Sequence, residues 1–198
     1  MAGTATGWDT LEVIQTQAQI WASLAIPGAG AELTLYTDGT PDATANPSAK
    51  HLGHTAEGAS LLVKPSYNEF SVDESPAPFK RNVGGMEIAI AANLVQIEDF
   101  DLAELLLPGV ATQSAPSGKK KLTFGLKAVT YTSIAIIWPR ETDSTKFGAF
   151  HIYRAANDEG LAAEFGRTKM AGAPVSFKGH AITSRATADQ YGAYWIQT

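Results

Sequence analysis

The chain has four histidines, at positions 51, 54, 151 and 180, and these side chains are the best suited to metal binding or acid–base chemistry. His51 and His54 lie three residues apart in the segment H-L-G-H, and Glu57 is the only acid near them. A zinc site needs three or four ligands. We therefore interpret His51 and His54 as solvated loop histidines, and we expect no metal ion and no cofactor.

Asp38, Asp42 and Asn46 form a second group with a chemical interpretation, because spaced oxygen ligands are typical of calcium-binding loops. Their spacing is not that of an EF-hand, and the terminal Glu of that motif is missing. Asp and Asn also favour tight turns. We therefore assign Asp38 and Asp42 to turns, in the pairs Asp38-Gly39 and Pro41-Asp42.

The sequence lacks the motifs that mark an enzyme by its nucleophile or its phosphate loop. It has no cysteine and no G-x-S-x-G segment, and no spacing pairs a serine convincingly with a histidine. Gly28 and Gly30 are followed by Leu33 where a dinucleotide fingerprint has glycine, and no Walker motif occurs. We expect a protein that is not an enzyme.

Three carboxylates, those of Glu69, Asp73 and Glu87, lie in or near predicted strands. Glycosidases use a pair of carboxylates, but the spacing here selects no pair. Strand carboxylates can also give one face of a sheet a negative charge, and this is the role that we predict for them.

The net charge and its distribution along the chain bear on the partners of the protein. The chain has 198 residues and a formal net charge of −5, which indicates a single globular domain over residues 1–198 and argues against a nucleic-acid-binding surface. Residues 1–111 contain 14 acids and 4 bases, whereas residues 112–198 contain 6 acids and 11 bases. If the halves expose these charges on different faces, copies attract head to tail and build rings or filaments. If the halves interleave, the asymmetry cancels.

Strand patterns dominate the first half of the chain. Residues 31–37 alternate as a half-buried strand. Residues 38–58 have no periodicity and many turn residues, which predicts a long loop, either an arm that reaches a neighbouring subunit or a mobile surface excursion. Residues 59–64 and 67–73 are predicted as two strands with a tight connection, and residues 74–85 as a loop.

A long strand is predicted at residues 86–98, and the strongest helix signal follows at residues 101–107. There, Asp101 and Glu104 form a capping box, and a Pro-Gly pair ends the pattern. Residues 110–121 read as a connector. Strand patterns then return at residues 122–129, 131–138, 147–154, 175–183 and 193–197. The whole predicts a mainly β fold, a sandwich or barrel of about eight to ten strands with one flanking short α-helix and a long loop or arm.

In this order, the segments resemble the major tail tube protein of long-tailed bacteriophages, a family related to the tubes of type VI secretion and contractile injection machines. The resemblance covers most of the chain in the order and type of its elements. It rests on the overall pattern and not on a catalytic motif. The segments that carry it are P-G-A-G-A-E-L-T-L at 27–35, D-G-T-P-D at 38–42, H-L-G-H-T-A-E-G at 51–58, and residues 67–78, 86–98, 99–107 and 173–183.

The resemblance implies a virion structural protein that is made in the host cytoplasm and functions in the virion tail, with no cofactor and no catalytic residue. Such proteins form hexameric rings whose inner strands join into one barrel, and the rings stack in a helical assembly that conducts DNA during ejection. Contacts with a tape measure protein, a tail terminator and baseplate or tail-tip proteins are also implied. Since no apolar stretch approaches the length of a membrane span, we expect no membrane insertion.

Within that architecture, residues 38–58 are the predicted inter-ring loop, and we expect a chain without residues 48–57 to fold but not to elongate. The predicted lumen-facing acids are Glu69, Asp73 and Glu87, because carboxylates repel DNA phosphates. An alternative interpretation is another virion structural component, or a non-catalytic β-sandwich that binds carbohydrate or a protein partner. The predicted contact residues of the inter-ring loop are Asp38, Asp42, Asn46, Lys50, His51, His54 and Glu57.

Overall fold

The structure is a computed structural model that describes residues 18–29, 31–53, 55–72, 75–94, 105–107, 110–115, 119–125, 128–140, 143–158 and 173–197. The described part contains ten strands and one short 3-10 helix, Thr187–Asp189. The strands are β1 (Gln19–Ala22), β2 (Lys50–His51), β3 (Thr55–Val72), β4 (Ser75–Leu94), β5 (Val110–Ala115), β6 (Lys119–Phe124), β7 (Thr132–Pro139), β8 (Phe147–Asn157), β9 (Ala173–Gly179) and β10 (Gly192–Ile196).

Eight of these strands form one antiparallel sheet, and β5 and β6 form a separate two-stranded sheet. The order in the large sheet is β2-β1-β7-β8-β9-β4-β3, and β10 also pairs with β8. β10 lies along residues 148–152 of β8 and β9 along residues 155–157, both on the side away from β7. The prediction of a mainly β fold is confirmed. The sheet is open, with β2 and β3 at the two ends of its path, so it is not a barrel closed within one chain.

The pair of strands β7 and β8 lies at the centre of the core and is buried on both faces. Six consecutive residues of β7, 133–138, are buried, as expected for a strand that is covered on both sides. Ile134 and Ile136 belong to one hydrophobic cluster, whereas Ala135 and Ile137 belong to a second cluster. Strand alternation therefore divides the core into two layers, one on each face of this pair.

The first layer combines side chains from β1, β4, β7, β8 and β9 with Leu52 and Leu106. Burying each large aliphatic side chain completely stabilises the fold by about 1.5–3 kcal/mol. Its large buried members are Ile20, Leu52, Ile88, Ile90, Leu94, Leu106, Ile134, Ile136, Trp138, Phe150, Ile152, Val175 and Phe177.

The second layer covers the opposite face of β7 and β8 with residues that follow β1 in the chain. Leu24 and Leu33 are buried there against Phe147, and Leu35 and Ala49 pack at the margin. Residues 24–49 therefore form a cover on the central strands of their own chain.

The first-half strands are longer than predicted. The predicted strands 59–64 and 67–73 are parts of the continuous strand β3, and the predicted loop 74–85 belongs to β4. Proline is tolerated in this part of β3 and β4 because each strand has one side without a ladder partner within the described sheet. The Pro and Gly turn signals were therefore misleading at these positions.

Three other predictions need correction or lie partly outside the described residues. Residues 31–37 form no strand, and their only ladder contact is the isolated bridge between Leu35 and Pro41. The predicted connector 110–121 contains β5 and the start of β6. The flanking helix is not confirmed, because residues 101–104 lie outside the described residues and only Leu105 and Leu106 have helical backbone.

His151 is a polar side chain inside the second face of β8. It is fully buried, and neither ring nitrogen has a hydrogen-bond partner within the described ranges. Its ring lies 5.2 Å from that of Tyr153 and 5.9 Å from that of Trp195, between ring centres. Burial, together with the nearby positive charge of Arg185, lowers the pKa of His151 to about 4.

We predict that His151 makes folding stability depend on pH between 6.5 and about 4, its ordinary and its folded pKa values. In this window the unfolded chain binds a proton that the folded chain does not. The free energy of unfolding therefore falls as the pH falls, by about 3 kcal/mol at the lower limit. Urea unfolding at several pH values in this window measures the free energy of unfolding. The substitution His151→Leu should make that free energy less dependent on pH. Equal pH slopes for the two proteins would contradict the assignment to His151.

Candidate assembly surface

Strands β3 and β4 extend far beyond the strand that anchors them to the sheet. β3 has 18 residues and β4 has 20, but β4 pairs with β9 only over residues 89–94. The remainder, residues 61–72 and 75–87, is a two-stranded antiparallel extension that we call the ribbon. Its described side chains, at residues 61–69 and 82–87, are exposed except for Pro65 and Gly85, which are half-buried.

One face of the ribbon is apolar and continues the core outward into solvent. Residues paired directly across two antiparallel strands share a face. Val63 pairs with Ile88, which is buried in the first layer, and farther out Tyr67 pairs with Val83. Val63, Tyr67 and Val83 are exposed by 48%, 48% and 62%, and Met86, opposite Pro65, is also exposed. The hydrophobic face therefore does not end where the core of this chain ends.

The other face of the ribbon begins with Leu62, which is 45% exposed, and is polar farther out, where it includes two glycines. Lys64 pairs with Glu87, and Ser66 pairs with Gly85 on the same face. Gly84 is the extra residue of a bulge, since Ser66 pairs with Gly85 and Tyr67 with Val83. A Cβ atom on Gly84 would lie 2.7 Å from Asn68 Nδ2, so the Asn68 side chain occupies that space.

The ribbon also carries a long free edge. Within the described sheet, β3 pairs with β4 alone, so one side of an 18-residue strand has no ladder partner. Exposed edges of this kind are templates for pairing with another chain. Isolated two-stranded ribbons are at best marginally stable in water. Both facts make the ribbon a candidate surface for contact with another polypeptide.

The structure separates two of the three predicted lumen acids, Glu69 and Glu87. Strand alternation places Glu69 on the apolar face, where it pairs with Arg81, and Glu87 on the polar face opposite Lys64. One lumen surface therefore cannot include both acids, and each lies opposite a base. Asp73 lies outside the described residues. For Glu87 a lumen-facing role stays a prediction.

The segment 38–58 packs on its own sheet instead of projecting as an arm. Lys50 and His51 form β2 against β1, and the His51 ring lies 5.0 Å from that of Trp21. Leu52 is buried in the first layer. Removal of residues 48–57 would delete β2 and Leu52, so we now expect that deletion to destabilise the fold. His54 lies outside the described residues, as does the Glu57 side chain, whose backbone is in β3.

Asn46 fastens this segment from inside and is only 3% exposed. Its Oδ1 accepts a hydrogen bond of 3.1 Å from the Ala25 amide, and its Nδ2 donates to the carbonyl oxygens of Asp42 at 3.2 Å and Thr34 at 3.4 Å. Asn46 is therefore a structural residue and not an exposed contact.

Asp38 and Asp42 organise the turns of the segment. The Asp38 carboxylate accepts hydrogen bonds from the amide and the hydroxyl of Thr40, at 2.9 and 2.6 Å, and these bonds lower its pKa. The Asp42 carboxylate accepts a bond from the Thr44 amide, which lowers its pKa as well. The assignment of both residues to turns is confirmed, and both carboxylates stay charged at neutral pH.

The described ranges show no group of three or more histidine or acidic side chains able to hold a metal ion. They also contain no helix of the length and hydrophobicity that a bilayer crossing requires. No protein-family model and no curated protein matches the chain.

Sequence reasoning missed the apolar ribbon face, whose exposed apolar residues are Leu61, Val63, Tyr67, Val83 and Met86. The alternation at residues 61–67 was the available signal, but the proline within it suggested a tight connection between two separate strands. Only the register with β4 shows that these side chains share one face with the core.

We predict that Asn46→Ala lowers the free energy of unfolding by about 2 kcal/mol, because it removes three hydrogen bonds made by a buried side chain. Thermal or urea unfolding of the purified protein measures the change. Ser48→Ala, an exposed position two residues away, is the matched control and should stay within about 0.5 kcal/mol of wild type. Equal stability of the two variants would show that the segment is not fastened through Asn46.

Proposed function

We propose that this chain is a structural protein that assembles with copies of itself into hexameric rings, and that the rings stack into a phage-type tail tube that conducts DNA. The observation that carries the proposal is the amphipathic ribbon with its free edge. An apolar face that continues the core into solvent is expected where a second polypeptide completes the core.

A ring of identical copies would cover both the free edge and the apolar face of the ribbon. When β3 pairs with a strand of the adjacent copy, the free edge disappears, and a closed ring leaves no edge at all. The apolar ribbon face then packs against protein, and the polar face with Lys64, Ser66, Asn68 and Glu87 borders the lumen. A sandwich-like subunit with a barrel shared between subunits is part of this proposal.

The partners in this proposal are those of a virion tail: a tape measure protein inside the tube, a terminator at one end, and baseplate or tail-tip proteins at the other. DNA passes through the lumen without sequence-specific contacts. The polar ribbon face agrees with this role, because its one described acid, Glu87, lies opposite Lys64. Such a face offers no array of bases for phosphates.

We predict that the purified protein at high concentration forms rings or tubes in negative-stain electron micrographs. Assembly is expected to rise steeply with concentration, because each ring needs several copies. Monomers only, at all concentrations and after addition of tail-tip proteins, would contradict the proposal and favour a carbohydrate-binding or partner-binding module.

We predict that Val63→Lys abolishes ring formation without unfolding the monomer. The side chain is already half exposed in the monomer, so the charge costs little there, but it would be buried in the ring. Leu62→Lys is a closely matched control, because Leu62 is the adjacent residue, is 45% exposed, and points to the opposite face. Analytical ultracentrifugation measures assembly. Loss of assembly in both variants to the same degree would argue against an interface specific to the apolar face.

A further inference from the structure

The two ends of the central strand pair differ in charge and shape. At one end β7 begins at Thr132, which pairs with Ala155, and at the other end Pro139 pairs with Phe147. β7 has eight residues, and at about 3.3 Å per residue its ends lie about 23 Å apart. We call them the Thr132 end and the Phe147 end.

The Thr132 end contains a cavity of about 380 Å³, whose lining includes Ser23, Thr132, Tyr131, Tyr153 and Arg154. Hydroxyl groups form part of its wall, and the oxygens of Ser23 and Thr132 lie 3.2 Å apart. Ser23 adopts a φ of 58°, which is uncommon for a residue with a side chain. Its amide donates to Thr132 Oγ1, at 3.2 Å, which helps to hold this conformation.

Arg154 places a fixed positive charge beside these hydroxyls. Its guanidinium carbon lies 4.1 Å from the centre of the Tyr131 ring, and the His180 ring contacts Tyr131 from the edge at 5.0 Å. Arg154 is exposed, and no carboxylate of the described chain forms an ion pair with it. The nearby acid Asp158 is already paired with Lys178. A guanidinium held by an aromatic ring is preorganised to bind a carboxylate through two hydrogen bonds.

The Phe147 end presents an exposed acid on a rigid turn. In the turn at residues 36–40, Gly39 has a φ of 78° and lies so close to the Phe147 ring that a Cβ atom would be 2.3 Å from Cε1. This contact fixes the turn at the end of the sheet. Asp38 lies at its tip, oriented by the two hydrogen bonds from Thr40, and has no basic partner among the residues described. Asp143 of this end is paired with Lys146, and the Arg140 guanidinium donates a hydrogen bond to the Gln197 carbonyl oxygen.

We propose that the Asp38 carboxylate of one copy binds in the Arg154 cavity of the next copy, and that this contact stacks the rings along the strand direction. The chemistry matches, because the Arg154 guanidinium is a charged donor for a carboxylate, and the hydrogen-bonded hydroxyls of Ser23 and Thr132 make the cavity polar. The geometry matches as well, because donor and acceptor lie at opposite ends of the same strands. A contact between opposite ends repeats without closing, as a tube requires and a two-fold dimer does not. The inference rests on the proposed function and assigns its axial contact.

Two single charge reversals test the contact, since each places like charges across it. We expect Arg154→Glu and Asp38→Arg to form rings but to raise the critical concentration for tube formation by at least about tenfold, because every subunit in a ring repeats the repulsion. The double variant D38R/R154E restores the attraction in the reverse sense and should form tubes. An equal mixture of the two single variants should also form tubes, because they alternate. Circular dichroism checks that each variant is folded.

Lys146→Glu is the matched control, a base-to-acid change at the Phe147 end that leaves both proposed partners in place. It should form tubes as wild type does. Raising the ionic strength to about 1 M, where the Debye length is about 3 Å, should slow elongation of the wild type and of the double variant alike.

The outcomes separate this inference from the function on which it rests. If the wild type forms neither rings nor tubes, the proposed function fails. If the wild type forms tubes and both single variants form them equally well, only the axial contact is overturned. The axial contact is also overturned if neither the double variant nor the mixture forms tubes although all the variants are folded and form rings. Complementary charges at positions 38 and 154 would then not be enough to stack the rings.

Discussion

The pairing of β7 with β8 is buried on both faces, and most of the described structure is held in place by covering this pair. On one face, β4 and β9 bring Ile90 and Phe177 into the first layer of the core. On the other face, the cover formed by residues 24–49 buries Leu24 and Leu33. Because one strand pair joins two layers, a change at either face is felt in both. The segment expected to be a free arm is therefore part of the fold.

The ribbon differs from the elements that cover this pair, because its described side chains belong to neither hydrophobic layer of the core. Its strands are anchored through β9 at one end, and beyond that point Val63 and Val83 are exposed by 48% and 62% in the part of the chain that the structure describes. In the proposed assembly, this face becomes part of the core between two subunits. The polar face, with Lys64 opposite Glu87, suits a surface that stays in water. The two faces thus indicate which side meets protein and which side meets solvent.

The fold places an exposed acid and an exposed base at opposite ends of the central strands. Asp38 is fixed at the end of the sheet where β8 begins, and Arg154 lies at the opposite end of that strand. The acidic and basic halves of the sequence do not separate cleanly, because most charged pairs, such as Lys178 with Asp158, lie within one end. Asp38 at one end and Arg154 at the other form no ion pair within the described residues. In the proposed tube, these two groups orient the copies head to tail.

The sequence by itself determined that the chain is mainly β, that it lacks cysteine chemistry, and that Asp38 and Asp42 belong to turns. These features depend on local chemistry: alternation, composition and the hydrogen bonds of short side chains to neighbouring amides. Tertiary structure alone decided that β3 runs through Pro65 and that Glu69 and Glu87 lie on opposite faces. It also decided that Asp38 and Arg154 lie at opposite ends of the central strands. Each of these depends on strand register and on which strand has a free side. Register is set by contacts between residues that are distant in sequence, so no local pattern contains it.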